Sequence, residues 1–233
     1  MDTQLHQITP ARLGLELDLI ADLACPWSFL GKRSLERALE SLYGAPVKAL
    51  RWHGLPLQSH AENQTWREHL ATRLPKGIDV DFAHQSLIEA GKDLGIAFDF
   101  EKLERVPNTR EAHRLVRLAT REGHQSEVVD ALFSAFFEQG QNISDREVLV
   151  NIAADCKLES VIQSAFDNPE EGRDDVEAEE KRLRGLGVTG IPNLLINGRV
   201  LVPGPADVST YVQALDQALF PDELEPQSKR LLH

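Results

Sequence analysis

The sequence predicts an α/β fold interrupted by an all-helical insertion, and three observations predict it. The chain opens with the periodicities of strand, helix and strand. It then runs from about Glu62 to Arg184 with helical character and almost no strand signal. It closes as strand, tight turn, strand and helix.

Each element can be justified in order. Leu13 to Ile20 alternates apolar and polar side chains with period two, which predicts a strand ending at Ala21-Asp22. From Pro26 the apolar positions shift to helical spacing through Trp27, Leu30, Leu35, Ala38, Leu39 and Leu42, until Gly44 and Pro46 stop the helix. Pro26 suits the first turn because its missing N–H would be unpaired there anyway, so Cys25 falls at or beside the N-cap. Val47 to Trp52 predicts a second strand, broken by Gly54 and Pro56.

Helices follow over Thr65–Leu74, Asp81–Leu94, Thr109–Gly123, Gln125–Gln139, Asp145–Ala154, Glu159–Ala165 and Pro169–Leu186. Asn108 with Glu111 three residues on predicts the N-cap of the third. After Gly185 to Gly190, Asn193–Ile196 and Arg199–Val202 flank Asn197-Gly198, the residue pair that a type I′ hairpin turn favours. A last helix is expected over Ala206–Leu219, and a polar tail from Pro221.

The order β-α-β, helical block, β-β-α is a thioredoxin-like layout. It divides the chain into a discontinuous thioredoxin-like domain, residues 13–58 and 186–222, and a helical insertion, residues 59–185. With 37 acidic against 25 basic residues and a net charge of −12, non-specific attraction to nucleic acid or anionic lipid is disfavoured. The first twenty residues lack a basic segment followed by an apolar run, so neither a signal peptide nor a membrane span is expected and the cytoplasm is the default compartment. The two cysteines, Cys25 and Cys156, are far apart in such a chain, which argues against a structural disulfide. His53, His60, His69 and His84 show no metal-ligand spacing, so no metal is expected.

Two landmarks carry chemistry. A thiol at a helix N-terminus faces unpaired N–H groups and the positive end of the dipole, which predicts a lowered pKa and a thiolate nucleophile at Cys25. A small buried apolar role for Cys25 is the competing reading. The second landmark is Gly187-Val188-Thr189-Gly190-Ile191-Pro192 before a strand, where a cis Ile191–Pro192 bond is expected. In a thioredoxin-like layout this loop faces the helix start bearing the cysteine.

The motifs Cys25-Pro26-Trp27-Ser28-Phe29-Leu30-Gly31-Lys32-Arg33, Val106-Pro107-Asn108-Thr109 with Ala112-His113-Arg114-Leu115, Ala131 to Phe137, Gly187 to Pro192 and Val202-Pro203-Gly204 come in an order that resembles the FrnE-type branch of the DsbA-like thioredoxin superfamily. Its relatives include cytoplasmic dithiol oxidoreductases, and more distantly 2-hydroxychromene-2-carboxylate isomerases and kappa-class glutathione transferases. The resemblance implies a nucleophilic Cys25 and a cis-Pro loop that binds substrate or glutathione. It also implies that the helix start with Asn108, Thr109 and His113 lines the cleft beside Pro26, Trp27, Ile191 and Pro192.

There are departures. The family's Cys-Pro-Trp-Cys pair here ends in Ser28, so no resolving thiol stands within the motif. The glutathione-using relatives carry Ser-Pro-Tyr, whereas this chain keeps Cys25. The family's Gly-Ala-Gln segment is Gly204-Pro205-Ala206.

The expected activity is a monothiol thiol-disulfide oxidoreductase with Cys25 as nucleophile and Ser28 as its hydrogen-bond partner. Glutathione is a co-substrate in this reading, and no cofactor is tightly bound. The alternatives are a glutathione-dependent isomerase or transferase acting on a small aromatic or electrophilic compound, and a non-catalytic binding protein. A thiol or disulfide substrate is the expected partner, neither nucleic acid nor membrane is, and a homodimer is compatible with each reading.

Overall fold

A computed structural model describes residues 14–42, 44, 46–57, 64–168 and 170–220. The expected strand start at Leu13, the helix start at Pro169, His60 and the tail from Pro221 lie outside the described residues.

The chain opens as β1 (Leu15–Ala21), α1 (Pro26–Ser41) and β2 (Val47–Gly54), and closes as β3 (Asn193–Ile196), β4 (Val200–Pro203) and α9 (Val208–Leu219). Among the described residues the strands form one mixed sheet in the order β2-β1-β3-β4, with β1 parallel to β2 and antiparallel to β3. Strand β1 is therefore central. Leu15, Leu17 and Leu19 are buried on one face while Glu16 is exposed and Asp18 half-buried on the other, as period two requires; Ile20 and Ala21 are then both buried as the strand enters the interior. The β3–β4 turn places Asn197 and Gly198 at positive φ, 51° and 65°, the left-handed pair of a type I′ turn.

Between β2 and β3 lie α2 (Trp66–Arg73), α3 (Val80–Lys92), a 3-10 turn at Phe100–Lys102, α4 (Arg110–Glu122), α5 (Gln125–Phe137), α6 (Arg146–Asp155), α7 (Glu159–Asp167) and α8 (Arg173–Gly185). Thr65 and Glu68 form a capping box at α2: the Thr65 hydroxyl accepts from the Glu68 N–H at 3.2 Å and the Glu68 carboxylate accepts from the Thr65 N–H at 3.0 Å. One apolar core runs from the sheet through α1 into these helices. Its link is Phe29, which stacks on Phe133 at 4.7 Å between centroids and meets Phe98 edge-on at 5.7 Å.

Several boundaries differ from expectation for local reasons. Helix α4 begins at Arg110, with Thr109 as its N-cap; Asn108 stands one residue outside and accepts the Arg110 N–H at 3.1 Å. The Thr109 hydroxyl does not cap the helix because a buried carboxylate claims it. Helix α8 starts at Arg173, after Gly172 turns through the left-handed region at φ 77°. Helix α9 starts at Val208 because the Asp207 side chain caps it, accepting the Thr210 N–H at 2.7 Å. Strand β2 continues to Gly54, two residues past the expected end, because its parallel pairing with β1 runs on to Ala21.

Candidate active site at the start of helix α1

Cys25 is the N-cap of α1, in extended conformation, and its carbonyl accepts the N–H groups of Ser28 at 3.0 Å and Phe29 at 3.3 Å. The Cys25 side chain makes no capping hydrogen bond. The Ile191–Pro192 peptide is cis, as expected. Pro192 packs close to α1: a Cβ added to Gly31 would stand 3.2 Å from the Pro192 ring and 3.3 Å from the Tyr211 hydroxyl, so glycine permits the approach.

A cleft of about 360 Å³ opens beside Cys25. Pro26, Trp27 and the Thr189–Ile191 loop form part of its wall, and α2 supplies Trp66, His69, Leu70 and Arg73. Cys25, Pro26, Trp27 and Ile191 are thus brought together as expected, with Pro192 buried behind the loop. Asn108, Thr109 and His113 are not on this wall. Thr109 and His113 are buried and turn inward to a residue that sequence reasoning passed over, Asp22.

Asp22 is fully buried between β1 and Cys25. Its Oδ1 accepts from the Thr109 hydroxyl at 2.8 Å and pairs with His113 Nε2 at 3.0 Å, while Oδ2 accepts the Leu57 N–H at 3.1 Å. Three partners answer the desolvation of a buried carboxylate. The signal in the sequence is an acid inside the apolar run Ile20-Ala21-Asp22-Leu23-Ala24. Ser28 is equally buried, and its Oγ accepts the Asp22 N–H at 3.4 Å.

The thiol environment reverses one expectation. Burial pushes the Cys25 thiol up to about 11, although the Ser28 hydroxyl and N–H and the Trp27 N–H favour the thiolate; the Asp22 charge adds to the upward push. The helix terminus cannot offset the loss of solvent at a residue 7% exposed. Cys156 stands at the C-terminus of α6, where burial, then Glu127 and Asp155, raise its thiol; it is not part of the Cys25 cleft.

The DsbA-like thioredoxin domain model matches residues 16–216. This chain belongs to the DsbA-like thioredoxin family. Solved structures of similar fold include a probable DsbA oxidoreductase from Streptomyces coelicolor, 24% identical with a TM-score of 0.76 over 88% of this chain and 89% of that one. A 2-hydroxychromene-2-carboxylate isomerase is 13% identical with a TM-score of 0.67, covering 89% and 97%. The cytosolic disulfide reductase DsbM from Pseudomonas aeruginosa, solved with GSH, is 18% identical with a TM-score of 0.58, again covering 89% and 97%. At these identities the likeness is one of fold, and at the general level that fold is the one of DsbA-like thiol-disulfide oxidoreductases. Among the described residues no helix is long and apolar enough to cross a membrane.

Proposed function

We propose that this DsbA-like chain is a monothiol thiol-disulfide oxidoreductase of the FrnE type that works with glutathione. The observation that carries the reading is Cys25 at the N-cap of α1, on the wall of the same cleft as the cis-Pro192 loop, with Ser28 one helical turn on where the dithiol pattern has its second cysteine. The Cys25 thiolate attacks a disulfide RS–SR; the Cys25–S–SR bond forms, the S–S bond of the substrate breaks, and RS⁻ leaves. Glutathione thiolate then attacks the RS sulfur of the mixed disulfide; the GS–SR bond forms, the bond to the Cys25 sulfur breaks, and Cys25 leaves as thiolate. Ser28 and the N–H groups at the helix start are the groups that favour that thiolate, and they work against burial. A glutathione-rich compartment such as the cytoplasm matches this cycle.

One observation favours a second reading. A thiol held up to about 11 is protonated at neutral pH and serves as a hydrogen-bond donor, and the cleft beside it is walled by Trp27, Leu57, Trp66, Leu70 and Ile191. That combination suits a glutathione-dependent isomerase or transferase, in which Cys25 donates to the bound glutathione thiolate and the apolar wall takes a small aromatic compound.

Intact-mass analysis of Cys156→Ser and Cys25→Ser/Cys156→Ser proteins after incubation with oxidised glutathione separates them, the half-exposed Cys156 being removed from both. The oxidoreductase reading expects one glutathione on the protein that keeps Cys25, forming faster as pH rises from about 6 to about 10 because the thiolate fraction grows tenfold per unit, and none on the double variant. A Cys25 that stays unmodified across that range refutes it and leaves the isomerase or transferase reading.

A further inference from the structure

We infer that the Cys25 cleft selects thiols and disulfides that carry an anionic group, and that Arg73 is the residue that reads the charge. The inference rests on the substrate cleft proposed above and names its substrate class.

Besides Cys25, the side chains on the cleft wall include two ionisable ones, His69 and Arg73, both on α2 and one helical turn apart. His69 is buried; burial first, then the Arg73 charge, hold it below its ordinary range, with Asp22 pulling the other way, so it is neutral at neutral pH. Asp22 lies beneath the wall with its oxygens already engaged by Thr109, His113 and Leu57. Among the described residues Arg73 is thus the full charge that the wall presents, and it is cationic in a chain of net charge −12.

A cation in the last turn of α2 also suits the helix dipole. That accounts for a basic residue there, but not for its place on the wall of the nucleophile's cleft. Arg67, six residues earlier on the same helix, pairs with Asp81 at 2.7 Å, whereas among the described residues no carboxylate pairs with Arg73. A guanidinium at an aromatic and aliphatic wall fits a compact thiol or disulfide that carries a carboxylate: glutathione offers the carboxylate alone, and an aryl carboxylate thiol offers an apolar ring for the wall as well. It disfavours a cationic one by like-charge repulsion.

The test measures the rate at which Cys25 becomes thiolated in the full chain carrying Cys156→Ser, with and without Arg73→Gln. Three probes are used: anionic oxidised glutathione, uncharged hydroxyethyl disulfide and dicationic cystamine. Because each probe is compared with itself, intrinsic reactivity cancels. Arg73→Gln is expected to slow oxidised glutathione about fivefold, to speed cystamine by a similar factor and to leave hydroxyethyl disulfide within about twofold, the scale of one exposed ion pair. Arg73→Lys should restore most of the glutathione rate, and added salt should erase the wild-type preference.

Equal effects on all three probes, or none, overturn the inference. Reduced glutathione binding, followed by the fluorescence of the cleft tryptophans, gives a second readout independent of thiol exchange. If Cys25 accepts no disulfide but Arg73→Gln still weakens this binding about fivefold, the exchange reading falls and the anion site stands. If binding is also unchanged, the anion site falls.

Discussion

Replacing Asp22 with Asn should make Cys25 more reactive while making the protein less stable, and both effects follow from the same three contacts. The carboxylate accepts from Thr109 at 2.8 Å, pairs with His113 at 3.0 Å and accepts from Leu57 at 3.1 Å. Asn has nearly the same shape and keeps an acceptor for the first two, but its amide group then meets the Leu57 N–H, leaving two donors face to face. Losing that bond in a fully buried site should cost about 1–3 kcal/mol, read from urea unfolding.

The thiol responds in the other direction. Burial remains its largest influence, but the like charge that helps to push it up to about 11 is gone, so its pKa should fall by about one unit. The thiolate fraction at about pH 8 then rises about tenfold. Intrinsic nucleophilicity falls with thiol basicity by about threefold for the same unit, so the net gain is about threefold. Iodoacetamide alkylation of Cys25 in a Cys156→Ser background measures it. An unchanged or slower rate in a folded Asp22→Asn protein would refute the claim that the thiol feels the buried charge.

Gly54→Ala should cost about 1–3 kcal/mol in urea unfolding, because a Cβ there would lie 2.9 Å from two ring atoms of His113 and force the ring away from Asp22. His53 lies between Glu179 of α8 and Asp18 of β1, the latter at 2.7 Å. Burial lowers its pKa, but the hydrogen bonds to Glu179 and Asp18 outweigh burial and hold it above its ordinary value. A raised folded pKa gives stability that is complete below about pH 6.5 and lost as pH rises through the folded value. His53→Gln should therefore lower Tm more near pH 6 than near pH 9, followed by circular dichroism; an equal loss at both would show that the charge of His53 contributes nothing.

Much of the framework is legible without coordinates because its causes are local. The alternation of β1, the helical spacing after Pro26, the Asn197-Gly198 turn and the sulfur at the head of α1 each depend on residues a few positions apart, and the structure keeps them all. The start of α4 lies one residue beyond the expected one because Asn108 and Thr109 are both competent caps. What separates them is the Asp22 carboxylate, 87 residues from Thr109 in sequence, which draws its hydroxyl away from the helix.

Burial, which no local pattern reveals, hides the chemistry of the site. A thiol at a helix terminus, taken alone, implies a low pKa; the folded chain removes it from solvent and sets a carboxylate beneath it, and desolvation outweighs the dipole. His113 reaches Asp22 across 91 positions, and Arg73 comes to the cleft because the fold makes α2 one of the walls of the cleft that opens at the start of α1. Local pattern determined where the elements lie and which atom sits at the head of α1. Only the tertiary structure decided that atom's protonation and the charge of the wall it faces, because burial and electrostatics are set by neighbours in space.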